Sequence, residues 1–242
     1  MAKLKVAELN TLVEYRYPTM VKQAEFYKAD FERPNITVSI SDESMAELKA
    51  ENPHLSEDDL EYIFTGAGFY EALLEFNGFM LHSSGVCVDG YAYLFSADPG
   101  TGKSTHTGLW QQYFGEDRAL IINDDKPAIR LVEDVLYAFG TPWSGKTDKN
   151  LNMRVPVGAI VFIERSAEGN WVKEITPKEA IPLIMGQTIR PEQPEKMIKL
   201  LDVLDTLLRR VKVYRLGCDM SMDAVKTSYE GIRADKEDKN EG

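Results

Sequence analysis

Apolar and polar residues alternate over 35–40 (Asn-Ile-Thr-Val-Ser-Ile), the period-two mark of a half-buried strand. Further on, Ser56-Glu57-Asp58-Asp59 has the form of a capping box. Leu60, Ile63, Phe64 and Ala67 follow it at helical spacing. Gly66 and Gly68 weaken that helix, so the pattern predicts a break there and a second helical piece over 71–76. From Phe79 the period changes. Residues 80–88 and 91–95 read as strands joined by Asp89-Gly90, a pair that favours a type I′ hairpin turn. Leu109, Trp110, Tyr113 and Phe114 then share one helical face, and strand-like runs recur at 119–122, 128–132, 135–139 and 157–163. Thr176-Pro177-Lys178-Glu179 opens another helix with Pro at its first position. Met197, Leu200, Leu201, Leu204, Leu207 and Leu208 mark a long amphipathic helix, and 211–216 a late strand. The charged stretch 234–242 predicts a disordered tail. These elements give a mixed α/β chain.

Composition narrows the picture. At 242 residues the chain fits one large domain or one and a half. It has no internal repeat and no Gly/Ser/Pro-rich linker, which favours one compact unit over 1–233. With 43% hydrophobic and 28% charged residues it can bury a core without disulfide or metal staples. The net charge of −11 argues against sequence-independent nucleic-acid binding, which needs many phosphate-neutralising cations. It leaves room for a nucleotide, because oriented amides and one Lys make a local anion site. Cys87 and Cys218 form no CxxC or Cys/His pattern and sit among apolar residues, so both are expected as buried, reduced thiols. No apolar run reaches the roughly 20 residues needed to span a bilayer, and residues 1–12 hold no signal-peptide core. The expectation is a cytoplasmic protein with no membrane partner.

The chain contains two Gly-Lys-Ser/Thr sequences. Gly140-Thr-Pro-Trp143-Ser144-Gly145-Lys146-Thr147 satisfies the full phosphate-loop pattern. Ala97-Asp98-Pro99-Gly100-Thr101-Gly102-Lys103-Ser104 satisfies it except at its first position. Mechanism favours the second. A phosphate loop leaves a buried strand and runs straight into a helix, so that backbone N–H groups face the phosphates. Residues 91–95 are apolar and a helical face follows Ser104, whereas Lys146 is followed by TDKNLNMRVP, which carries no amphipathic helix. Gly100 and Gly102 then allow close approach of the backbone, Lys103 reaches the β and γ phosphates, and Ser104 coordinates Mg. Downstream, the apolar strand 120–122 ends in Asn123-Asp124-Asp125. One carboxylate there can hold Mg while its neighbour takes a hydroxyl proton, although consecutive acids at a strand end also suit a solvated turn.

In order, His82-Ser-Ser-Gly85-Val-Cys-Val-Asp89-Gly90, the loop Asp98–Ser104 and Asn123-Asp124-Asp125 resemble the kinase domain of HPr kinase/phosphorylase. The loop and paired acids are also similar to those of ATP-type phosphoenolpyruvate carboxykinases. The resemblance covers 82–125, with a weaker continuation to 165. It implies an α/β fold with a mixed sheet of the HPr kinase/phosphoenolpyruvate carboxykinase-like type and flanking helices. Within 1–233 the regions would be an N-terminal part (1–78), a nucleotide-binding core (79–165) and a C-terminal helical part (166–233). The implied activity is Mg-dependent transfer of a phosphoryl group from ATP to a hydroxyl, on a peptide, protein or small metabolite.

By position, Asp124 would be the general base, Asp125 the metal ligand beside Ser104, and His82 would sit at the phosphates with Lys103, although at the end of an apolar run His82 also suits a hydrogen-bonded core histidine. The nucleotide would be held by residues 98–105. The roles of the two Asp residues are open to exchange. Ala97 replaces the first loop Gly, and Thr105 stands where HPr kinases carry an acid. Trp143, Ser144, Gly145 and Lys146 take roughly the place of a later Arg-Gly signature; the segment suits either a purely structural turn or, with an exposed Trp, contact with the acceptor or nucleotide. His106 is placed to face either phosphate or solvent, and Arg154, Arg190 and Arg215 either clamp an anion or form surface ion pairs. A homo-oligomer is compatible with the resemblance. The alternatives are a nucleotide-sensing or peptide-binding module without chemistry, and a carboxykinase-like lyase.

Overall fold

The fold is that of a computed structural model describing residues 1–237. Strands β1 (Ala2–Val6) and β2 (Leu9–Val13) form a hairpin around Ala7 and Glu8, both at positive φ. After the short helix α1 (Pro18–Gln23), β3 (Ile36–Val38) joins β2 in parallel and completes a three-stranded sheet. Ile36 and Val38 are buried and Thr37 exposed, as the alternation predicts.

Two helices follow, α2 (Asp42–Glu51) and α3 (Glu57–Leu73). The expected capping box opens α3: Ser56 Oγ accepts from the Asp59 N–H, and the Asp59 carboxylate accepts from the Ser56 N–H, each at 3.1 Å. The helix does not break at its glycines. A Cβ on Gly66 would lie 2.9 Å from the Trp143 ring, and one on Gly68 3.1 Å from Val38, so both glycines permit close packing. The buried face is also rotated from the expected one. Leu60, Phe69, Tyr70 and Leu73 point inward while Ile63 is 42% exposed. Glu61 sits on this inward face, and its carboxylate accepts the N–H groups of Arg16 and Tyr17 at 2.8 and 3.0 Å beside the start of α1.

The main sheet begins with β4 (Gly78–Met80), β5 (Ser83–Val88) and β6 (Tyr91–Ser96). The expected single strand over 80–88 is therefore two: the chain leaves one ladder at Leu81-His82 and enters another. Asp89 and Gly90, at φ 52° and 79°, make the predicted tight turn between β5 and β6. Helix α4 (Lys103–Phe114), then β7 (Leu120–Asn123), β8 (Ala128–Val132), β9 (Val135–Phe139) and β10 (Arg154–Arg165) continue the chain. It closes with β11 (Trp171–Ile175), α5 (Pro177–Gly186), α6 (Pro194–Arg210), β12 (Lys212–Cys218) and α7 (Met222–Glu237). Helix α7 covers the first part of the segment expected to be disordered; 238–242 lie outside the described residues.

Strand order is β4-β8-β9-β10-β6-β5-β7, with β12 pairing β10 and β11. The start of β10 pairs antiparallel with β9; from Val157 it pairs parallel with β6, with a register shift between Val157 and Ala159, and from Ala159 it also pairs parallel with β12. Leu94 of β6 and Ile160 and Phe162 of β10 share a core with Leu200, Leu204 and Leu207 of α6. Tyr93, Phe95 and Val161 alternate to the opposite face, where Trp110 of α4 and Val225 and Ile232 of α7 cover them. The end of β6 thus opens between two helical layers. Cys87 and Cys218 are both free and buried, as expected. Among the described residues no helix is long and apolar enough to cross a membrane.

Trp143 joins the α3 side of the core, 0% exposed, with its ring 4.9 Å from Phe69 and its Nε1–H donating to Thr65 Oγ1 at 3.2 Å. Trp143→Ala is expected to cost about 3–5 kcal/mol in urea denaturation. A loss near zero would mean that the ring is not part of the folded core.

Candidate functional site

Residues 97–102 leave the buried end of β6 and turn directly into α4. Gly100 (φ 77°) and Gly102 (φ 120°) hold backbone conformations that side chains disfavour, and nothing lies within 4 Å of a Cβ built on either. The opening faces outward: Asp98, Pro99, Gly100, Ser104 and Thr105 are exposed. Lys103 folds back over the loop, its Nζ donating to the Ala97 carbonyl at 2.9 Å. Burial pushes its ammonium below the usual range, while the carboxylates of Asp125, Asp98 and Asp124 pull the other way.

Asp124 is 7% exposed, and hydroxyls hold both of its oxygens. Ser84 Oγ donates to Oδ1 at 2.5 Å and Thr147 Oγ1 to Oδ2 at 2.8 Å. Ser84 also bonds Thr107 of α4 at 2.7 Å, which ties the acid to the helix that follows the loop. Asp125 is more open. His82 Nε2 lies 3.2 Å from its Oδ1, and Lys126 pairs with its other oxygen. Burial alone would raise the Asp125 carboxyl, but the His82 hydrogen bond and the Lys126 charge outweigh it and hold it below the usual range.

Gln187, the residue after α5, carried no signal in the sequence. Its Nε2 donates to Asp98 Oδ1 at 3.2 Å, its Oε1 faces His82 Nδ1 at 3.0 Å, and its carbonyl accepts the His82 N–H at 2.7 Å. A carboxylate only accepts hydrogen bonds, so Asp98 fixes the amide orientation and leaves its oxygen for the imidazole. A continuous chain runs from the loop through Gln187 and His82 to Asp125.

No family model matches the chain, and no curated protein matches it. Among solved structures it is similar to the Hpr(Ser) kinase/phosphatase from Coxiella burnetii. Identity is 10% and the TM-score 0.39, over 67% of this chain and 99% of that one. A similarity this distant leaves the chemistry to the residues of the site.

The second Gly-Lys-Thr sequence has a different setting. Residues 145–147 form only a short 3₁₀ turn, with Lys146 exposed. The expectation of an exposed Trp143 for acceptor contact is overturned, because that ring fills the pocket above Gly66. Ser144 is buried too, accepting from Asn150 Nδ2 at 2.9 Å, so its side chain has no open face for an acceptor. Gly145 does reach the site: a Cβ there would lie 2.9 Å from that of Asp125. Arg154 and Arg215 pair with Glu8 and Glu164 at 2.9 and 3.0 Å. His106 faces neither phosphate nor solvent as a free ring. It is 3% exposed, accepts from Trp110 Nε1 at 3.1 Å, and lies 3.2 Å from Ser228 Oγ.

Burial pushes His106 down to about 4 from an unfolded value near 6.5. The unfolded chain binds the extra proton first on acidification. The neutral ring's contribution is thus full above pH of about 6.5 and drains away as the pH falls toward about 4, on the order of 3 kcal/mol in all. Denaturation across that window should be less pH-dependent in His106→Phe than in wild type. Equal slopes would contradict the buried neutral ring.

Proposed function

We propose that the chain is an ATP-dependent phosphotransferase that uses Mg and passes the γ-phosphate to a hydroxyl. The observation that carries this reading is the loop itself, which leaves the buried strand β6, passes Gly100 and Gly102 at positive φ and runs straight into α4 at Lys103, with Asp98 linked through Gln187 and His82 to Asp125. Loop N–H groups and the start of α4 cradle the phosphates, and Lys103 exchanges its bond to the Ala97 carbonyl for the β and γ oxygens.

Magnesium fits the donors present, which are the Ser104 hydroxyl and a carboxylate. Mg commonly takes one or two carboxylates and completes its shell with waters and substrate phosphates. When bound, it would neutralise charge on the phosphates. Among the described residues no group of three or more His, Cys, Asp or Glu could hold a metal unaided, so the ion would be shared with the nucleotide.

The contacts of the two acids support the reverse of the order that the family resemblance implies. Asp124 is enclosed by hydroxyls and tied to α4, a setting for orienting the metal side of the site. Asp125, more open and held by His82 and Lys126, is set to receive the acceptor's proton. The acceptor oxygen then bonds the γ-phosphorus, the bridging P–O bond breaks, and ADP leaves with that electron pair. Phosphoryl transfer asks mainly for such positioning and charge neutralisation.

Thermal unfolding with and without Mg-ATP tests the site. Ligand at a hundredfold of its Kd stabilises by about 2.7 kcal/mol, a rise of roughly 5–10 °C for a chain of this size. The rise is expected in wild type and Lys146→Ala and absent in Lys103→Ala. Asp125→Asn should keep the rise while losing γ-phosphate transfer to water or to supplied hydroxyl acceptors. Loss of the rise only in Lys146→Ala would move the site to the other loop. Binding without transfer in wild type would favour the nucleotide-sensing reading, which the Thr at position 105 also suits.

A further inference from the structure

A cavity of about 330 Å³ is bounded by Thr101 and Gly102 of the loop and does not include His82 in its lining. Its volume lies within the roughly 300–1,000 Å³ typical of small-molecule sites. Leu109, Ile163 and Cys218 supply apolar walls from α4, β10 and β12. Burial pushes the Cys218 thiol up to about 11, so it stays neutral there. The polar lining is sparse and specific. His106 is part of the wall, and its Nδ1 is buried with no hydrogen-bond partner among the described residues. Its other nitrogen is engaged by Trp110 and lies beside Ser228, which fixes the ring in place. At the rim, Arg165 donates from Nη2 to the Gly100 carbonyl at 2.9 Å while also lining the cavity, so its guanidinium spans the loop and the opening. Asp219 adds a carboxylate to the same rim.

We propose that this cavity holds the nucleoside part of the ligand, with a purine base inside and the ribose at the Arg165 and Asp219 rim. The inference rests on the phosphate-loop reading. A ligand phosphorylated at the loop continues through Thr101 and Gly102 directly into this space. A flat base suits apolar walls with few polar groups. In the neutral ring Nε2 accepts from Trp110, so Nδ1 carries the proton and is met by an acceptor nitrogen on a purine edge. A rim carboxylate accepts from the ribose hydroxyls, and Arg165 lies where the first phosphate meets the sugar. The cavity thereby gives the loop a preference for a nucleoside triphosphate over bare polyphosphate.

Calorimetric titration of the full chain with Mg-ATP and with Mg-tripolyphosphate separates the two contributions. Wild type is expected to bind Mg-ATP at least about tenfold more tightly than Mg-tripolyphosphate. Cys218→Phe, which fills the floor, and Ser166→Trp, which blocks the rim, should remove that advantage and leave Mg-tripolyphosphate binding intact. Undiminished Mg-ATP affinity in a variant that unfolds at the wild-type temperature would overturn the proposal, even if Lys103→Ala still abolishes binding. Failure of wild type to bind either ligand would instead overturn the phosphate-loop reading and this inference with it. Photolabelling of wild type with 8-azido-ATP needs no core substitution. Attachment within 106–109, 163–166 or 218–220 is expected. Attachment near Met80 or Thr188, in the second cavity beside His82, would place the base there and sink the proposal.

Discussion

Strand β10 has to belong to two ladders at once. Its first residues complete the β4-β8-β9 side of the sheet, and its later ones sit between β6 and β12. Its partners change after Pro156, and the register shift between Val157 and Ala159 lies just inside the β6 ladder, next to that change. This fixes β6 as an interior strand paired on both sides, so the backbone of residues 91–96 has no freedom at the point where the loop begins. The loop thus starts from a strand paired on both sides and is exposed at Asp98, Pro99 and Gly100. The same arrangement brings the end of β7, and with it Asp124 and Asp125, alongside β5 and the loop.

Electrostatics then tie elements that are far apart in sequence. Gln187 lies 89 residues from Asp98 and 105 from His82, yet its amide couples them. Since the orientation of that amide follows from the carboxylate, a change at Asp98 reaches Asp125 through two hydrogen-bonded side chains. The hydroxyl group of Thr147 extends the net to the second Gly-Lys-Thr sequence, which serves the site from behind by holding Asp124. A chain with a net charge of −11 thereby concentrates opposing charges in one small region.

Much of this was legible in the residues. The Asp89-Gly90 turn, the Ser56 capping box and the strand before and helix after the loop all rest on local chemistry, and local chemistry is what a sequence displays directly. The structure brings the loop, the paired acids and His82 together as the motif order implies. What failed depends on distant partners. Gly66 and Gly68 read as helix breakers because their neighbours, Trp143 and Val38, are invisible in the local pattern. Trp143 read as exposed because its flanks are Pro, Ser and Gly, although its ring stacks on Phe69. The β1–β2 hairpin carries no turn signal in the sequence because its turn uses Ala7 and Glu8 at positive φ instead of Gly or Asn. Gln187 had no signal, since a lone amide in a connecting segment gains meaning only from what it touches.

The packing of α4 sets where this molecule can move. Trp110 at the middle of the helix lies 5.7 Å from Tyr229 and 5.5 Å from Phe114, and its Nε1 lies 3.3 Å from Ser228 Oγ of α7. Tilting or sliding α4 would unstack that aromatic cluster and leave buried polar atoms unpaired, so the helix behaves as a fixed post. Between strand and post lie the six residues from Ala97 to Gly102, the segment that the proposed binding of a phosphate would have to rearrange. On that proposal the rearrangement would consist of peptide rotations at Gly100 and Gly102 and the swing of Lys103, local motions with no domain closure.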